Sequence, residues 1–272
     1  MTELTVGGLT RAFTMHLPES ADGPLPLLLV LHGNHPDACG SHMREWTGFD
    51  AHADTWGFAV AYPDGQGGCW ADGRGVTTAE EAGVDDVAFL SAIVEWSAER
   101  HGTYRDRAVV AGVSNGAFMA HRFAHEASDQ VAVLAAIAGT LPASLLDARS
   151  AYAVSAMLIH GIDDAMSPIG GGYSRHRGPN GELRGRTVSL DETAEHWRSI
   201  DRCPPGPGET QATEFSSRSM SVGGVGGTRV VSWTLFGVGH TWPGAETPGF
   251  NAAEEICRFA RPLLTSADNR RL

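Results

Sequence analysis

The chain has 272 residues, with 32 acidic side chains against 20 basic ones and a formal charge of −12 at pH 7. That acidity works against binding nucleic acid or an anionic membrane. Every basic residue is arginine, which excludes a lysine Schiff base and a phosphate-loop lysine. A hydrophobic share of 42%, with 34 glycines and 14 prolines, fits a loop-rich globular enzyme and not a disordered chain.

The N-terminus, MTELTVGGLTRAF, has neither a basic region nor an apolar core behind one. No signal peptide is visible, so a cytoplasmic location is expected, or a secreted one if the chain is a trimmed form. Residues 9–17 alternate loosely and predict an edge strand, which Pro24 and Pro26 separate from the next segment. The run 27–31 is continuously apolar and predicts a central strand covered on both faces, running into His32-Gly33-Asn34. Residues 47–56 read as a helix, 58–62 as another buried strand, and 65–75 as a glycine-rich loop. Apolar residues at 87, 89, 90, 93, 94 and 96 predict a helix over 87–100, capped by Asp85 or Asp86.

Residues 107–113 then read as a strand and 118–124 as the start of a helix, with Gly112-Val113-Ser114-Asn115-Gly116 between them. A G-x-S-x-G in a strand–turn–helix is the context of a nucleophile elbow, in which the serine hydroxyl is lifted clear of the sheet. Further strands are predicted at 131–139, 156–161 and 228–236. A helix over 189–200 opens with the capping-box pair Ser189 and Glu192, and a closing helix over 252–261 is stopped by Pro262. The longest apolar run, 131–138, is far shorter than the ~20 residues of a membrane span. The stretch at about 162–187 is too long for a simple connection and predicts a long loop on the side of the site. Strands alternating with helices imply an α/β fold: a mostly parallel central sheet with helices on both faces, in one domain over 1–272.

In such a sheet reactive side chains gather at the C-terminal strand ends. Those ends carry His32-Gly33-Asn34, Ser114, Asp163-Asp164 and His240. Ser, Asp and His follow one another with spacings of 50 and 76 residues, the chain order of an α/β-hydrolase triad. A serine hydroxyl needs a base within hydrogen-bond reach, and His240, in a glycine-rich loop after the last predicted strand, is the candidate. Asp163 or Asp164 is the candidate acid that fixes the imidazole tautomer. The backbone N–H of Asn115, with that of Asn34, would make an oxyanion hole. Trp70 and Trp242 lie on site-side loops and are candidate substrate contacts. So are Arg175 and Arg177, since arginine forks match carboxylates. No C-x-x-C occurs, and neither a metal nor a cofactor is expected.

Several segments together resemble α/β-hydrolase esterases of the polyhydroxybutyrate-depolymerase and feruloyl-esterase type. They are LLLVLHG at 27–33, Cys69-Trp70, VDDVAFL at 84–90, GVSNGAFMA at 112–120, LIHGIDD at 158–164 and GHTWPG at 239–244. The resemblance implies an α/β-hydrolase fold, hydrolysis of a small or polymeric ester through an acyl-enzyme, and the catalytic acid at Asp164. Where relatives carry HGC this chain has His32-Gly33-Asn34, and the segment after Asp164 departs from the family's usual continuation. The four cysteines, Cys39, Cys69, Cys203 and Cys257, are either free thiols or include a Cys39–Cys69 bridge, which a cytosolic location disfavours. Two other classes share the scaffold: an acyltransferase using the same acyl-enzyme, and a non-catalytic binding protein. Oligomeric state and the particular ester are not legible in the residues.

Overall fold

Two glycines make the first turn. In the computed structural model, which describes residues 1–19, 23–173, 180–264 and 270–272, Thr2–Val6 (β1) and Leu9–His16 (β2) pair antiparallel across Gly7-Gly8. Both glycines have positive φ (57° and 80°), as a two-residue hairpin requires. The remaining strands are Leu27–Leu31 (β3), Ala59–Pro63 (β4), Ala108–Val113 (β5), Val131–Ile137 (β6), Ser155–Gly161 (β7), Glu209–Ala212 (β8), Ser216–Val222 (β9) and Arg229–Leu235 (β10). They form one sheet in the order β1-β2-β4-β3-β5-β6-β7-β10-β9-β8. The six strands from β4 to β10 are parallel, and an antiparallel pair flanks them at each end.

The continuous apolar runs are explained by burial on both faces. In β3, Leu27, Leu29 and Leu31 pack into one core and Leu28 and Val30 into the other. The helices are Gly40–Thr47 (α1), Phe49–Trp56 (α2), the single turn Thr78–Glu81 (α3), Asp86–His101 (α4), Asn115–Glu126 (α5), Leu190–Ile200 (α6) and Ala252–Ala260 (α7). Helices α4, α5 and α6 cover the first face through Phe89, Ile93, Met119, Phe123 and Trp197. Helices α1, α2 and α7 cover the second through Met43, Phe49, Ile256 and Cys257. Capping follows local chemistry: Asp85 accepts the Ala88 N–H at α4, and Ser189 and Glu192 close a capping box at α6.

The structure corrects several readings of the sequence. Strand β2 is not an edge strand, because β1 lies outside it. The segment 47–56 is not one helix: Gly48 (φ 64°) ends α1 and starts α2, and α1 itself was not foreseen. Helix α5 begins at Asn115, directly after Ser114, so the helix N-terminus abuts the serine. Strands β8 and β9 were also missed, since β8 is exposed throughout and neither has an apolar run. All four cysteines are free thiols, with no Cys39–Cys69 bridge. Among the described residues, no helix is long and apolar enough to cross a membrane.

Candidate active site

Ser114 sits on a turn that only close backbone contact permits. A Cβ on Gly112 would come within 2.2 Å of the Gly116 carbonyl oxygen, and one on Gly116 within 2.4 Å of the Leu31 carbonyl. The two glycines therefore let β5, α5 and β3 converge. The turn holds Ser114 at φ 55°, ψ −118°, a region that costs a non-glycine residue about 1–3 kcal/mol. Its N–H is spent on the Ile137 carbonyl at 2.9 Å, which fixes the residue to β6.

Ser114 Oγ lies 2.9 Å from His240 Nε2, and His240 Nδ1 lies 2.7 Å from Asp164 Oδ2. Asp164 is buried. Its other oxygen, Oδ1, accepts the N–H groups of Met166 (2.9 Å) and Ser167 (2.8 Å). Burial by itself would raise the pKa of this carboxyl. The His240 hydrogen bond and the two backbone donors outweigh burial and hold it below the ordinary carboxylate range. Asp163 is exposed, and among the described residues its carboxylate makes no hydrogen bond. Of the two adjacent aspartates, Asp164 meets both the imidazole and the backbone of the loop.

His160 braces the same loop. Its Nε2 is 2.7 Å from the Ser167 carbonyl and so carries the proton, and burial lowers its pKa, keeping the ring neutral beside Asp164. His32 is likewise pushed down by burial. It accepts the Gly65 N–H at Nε2 (2.8 Å), which places its proton on Nδ1, facing the Gly33 carbonyl at 2.7 Å. The strand-end loop that carries Asn34 is anchored in this way. Asn34 is exposed, and with Ser114 and His240 it lines both cavities that meet at the serine. The N–H of Asn115 opens α5 and has no acceptor within the helix.

The two cavities differ in character. One, of about 520 Å³, is walled by Ala38, Cys39, Met43, Trp46, Val113 and Met166. The other, of about 230 Å³, is walled by Arg74, Asn115, Phe118, Tyr173 and Thr187. Among the described residues, no group of three or more His, Cys, Asp or Glu is placed to hold a metal ion.

No family model matches the chain. Over 294 residues it is 31% identical to a putative esterase, NocK, of Nocardia uniformis subsp. tsuyamanensis, an alignment that spans 99% of this chain and 78% of that protein. The chain belongs to the esterase and depolymerase family of α/β-hydrolases. As a member it is a serine carboxylic-ester hydrolase. The esterase is also 27% identical over 251 residues to poly(3-hydroxyalkanoate) depolymerase C of Paucimonas lemoignei, across 84% of this chain and 58% of that one. Its fold matches the solved acetyl xylan esterase of Aspergillus awamori with a TM-score of 0.64, covering 95% and 99% of the two chains at 14% identity.

Two tryptophans of the esterase are corrected. Trp70 is fully buried. Its Nε1 donates to the His32 carbonyl (2.9 Å) and its ring packs on the His32 ring, so it supports the Asn34 loop from beneath. Trp242 is buried edge-to-face with Phe49 in the second core. Neither lines a cavity at Ser114. Arg175 and Arg177 lie outside the described residues.

Sequence reading missed the clamp beneath the site. The Asn115 side chain accepts the Trp70 N–H (2.7 Å) and donates to the Trp70 carbonyl (3.1 Å) and to Asp72 (2.5 Å). Buried Asp86 takes the Ala71 N–H and Arg11, both at 2.7 Å. A signal existed in the acidic residues of an otherwise small, glycine-rich segment, but nothing in their spacing says which backbone they meet.

Proposed function

We propose that Ser114 is the nucleophile, His240 the general base and Asp164 the residue that orients it. The observation that carries this reading is the unbroken chain of hydrogen bonds from Ser114 Oγ through His240 to Asp164, at 2.9 and 2.7 Å, on a strained turn. His240 Nε2 takes the Ser114 proton as Oγ attacks the ester carbonyl. The negative charge that develops on the carbonyl oxygen is met by the N–H groups of Asn115 and Asn34, aided by the positive end of α5. The imidazolium, stabilised by Asp164, hands its proton to the departing alcohol and leaves an acyl-enzyme. Water then repeats the sequence in reverse order and frees the acid.

The wider cavity takes the apolar half of the ester. Met43, Trp46, Val113 and Met166 line it, and Trp46 and Met166 are more than half exposed, so the groove opens to solvent. Such a groove accepts an aryl group or a medium alkyl chain.

The test is a panel of 4-nitrophenyl esters of rising acyl length with methyl ferulate, assayed on the wild type and on Ser114→Ala. The wild type turns over at least one short or medium ester and reacts with a fluorophosphonate probe. Ser114→Ala loses roughly 10⁴-fold or more in kcat, together with the labelling. Turnover by Ser114→Ala near the wild-type rate would remove the assignment.

A further inference from the structure

The smaller cavity at Ser114 contains a cation that the mechanism above does not use. Arg74 lines it together with Ser114, Asn115 and His240. The guanidinium is fixed on two sides. Its Nε and Nη2 donate to Asp72 Oδ2 at 2.9 and 2.7 Å, and its central carbon lies 3.9 Å from the centre of the Phe118 ring. Asp72 is fully buried. Its Oδ1 takes the Arg74 N–H at 3.0 Å, and Oδ2 also accepts from the Asn115 amide. Among the described residues, the third nitrogen, Nη1, makes no hydrogen bond.

The backbone beneath is as firmly held. The carbonyl of Ala71 accepts from Arg122 (2.6 Å) and that of Gly73 from Ser144 (2.6 Å), while Glu80 takes the N–H groups of Gly75 and Val76. The loop is thus held at several points besides Arg74. What the pinning achieves is a guanidinium with one edge and one face spent, on a residue that lines the same cavity as Ser114. A fork held in this way binds a second carboxylate without the entropy cost of ordering a free arginine.

We infer that Arg74 is a specificity-determining residue of the esterase, and that it binds a carboxylate carried by the substrate close to the scissile ester. The inference rests on the reading of Ser114 as the nucleophile, since it is the cavity shared with that residue that defines the site. It gives the two cavities separate tasks: the groove at Trp46 holds the apolar half of the ester and the Arg74 pocket holds the charged half.

Two pairs of esters test it. In mono-4-nitrophenyl succinate against 4-nitrophenyl butyrate the carboxylate is on the acyl side. In 4-acetoxybenzoate against phenyl acetate it is on the alcohol side. The quantity read is the ratio of kcat/KM for the charged over the neutral ester, from which any general damage to the loop divides out. Arg74→Gln lowers that ratio roughly 10- to 100-fold in at least one pair, as loss of a charge-assisted hydrogen bond would, and the pair affected identifies the half of the ester that carries the charge. Arg74→Lys, which keeps the charge but not the fork, lowers it less. Ratios within twofold of the wild type in both pairs would overturn the inference.

If Arg74→Gln fails to fold because Asp72 is left unpaired, the double variant Asp72→Asn/Arg74→Gln removes both charges and the same ratios are read. Calorimetric titration of the wild type with 4-phenylbutyrate and 4-phenylbutanamide needs no turnover. The acid binds at least tenfold tighter if Arg74 acts as described, and equal affinities would refute it. A wild type that hydrolyses none of the four esters would count against Ser114, His240 and Asp164 instead, and the titration would still judge Arg74.

Discussion

Asp164 carries two loads on one carboxylate. Oδ2 faces His240, and Oδ1 holds the turn at Met166 and Ser167. An asparagine in its place can keep the turn, but its NH2 then faces Nδ1 and selects the wrong imidazole tautomer. Asp164→Asn is expected to lower kcat by roughly 10³–10⁴ while the melting temperature moves little. Asp163 is exposed and outside this chain of bonds, so Asp163→Asn should stay within about tenfold of the wild type, roughly 1.4 kcal/mol of barrier. Measuring kcat and Tm on both variants checks the pair, and the reverse pattern would transfer the acid to Asp163. This choice was open in the residues themselves: the two aspartates are adjacent on one loop, and only the resemblance favoured the second. What separates them is burial of one side chain against His160 and exposure of the other.

At the scale of elements, the elbow depends on how closely a strand and a helix can approach. Gly112 has no room for a methyl group, because the Gly116 backbone would lie 2.2 Å from it. Gly48, between α1 and α2, also has positive φ (64°) but nothing within 4 Å of its would-be Cβ. Gly48→Ala therefore costs only the strain of the left-handed backbone, about 1 kcal/mol, or roughly 2 °C in melting temperature for a chain this long. Gly112→Ala must push α5 off β5 and is expected to cost at least three times as much and to lose ester turnover with it. Thermal melts of the two variants, side by side, make the comparison. Equal shifts would mean that the strand–helix approach is not limiting.

At the scale of the whole molecule, most buried polar groups are paired, but some are buried at the expense of their charge. Asp201 follows α6 and accepts the Val154 N–H at 2.9 Å. Burial pushes its pKa up to about 8, against the bond from Val154. Since the folded value lies above the unfolded one of about 3.9, the folded state holds the extra proton between those values. Stability from this group is therefore full below about pH 4 and is lost progressively as pH rises toward 8. Asp201→Asn keeps an acceptor for Val154 and removes the ionisation. Its melting temperature relative to the wild type should rise by roughly 7 °C between pH 5 and pH 9, an effect of about 4 kcal/mol. A difference independent of pH would show that the carboxyl ionises freely in the fold.

The residues alone determined the scaffold and the order of its reactive side chains. Apolar runs at 27–31, 108–113, 131–137 and 156–159, each bounded by turn residues or polar groups, suit strands covered on both faces, and G-x-S-x-G between a strand and a helix has few structural solutions. Local capping at Ser189 and Glu192 was legible because both partners lie within one turn. Tertiary structure decided what depends on contacts distant in sequence. Trp70 and Trp242 lie on loops at the strand ends, yet both rings turn inward, because packing under His32 and against Phe49 removes more apolar surface from water than a cavity wall would. The link from Asn115 to Asp72 spans 43 residues, and that from Asp86 to Arg11 spans 75. No periodicity encodes such pairs. They exist because a buried carboxylate must find donors wherever the fold brings them, and the Asp72 carboxylate that accepts from Asn115 also holds Arg74 at the cavity of Ser114.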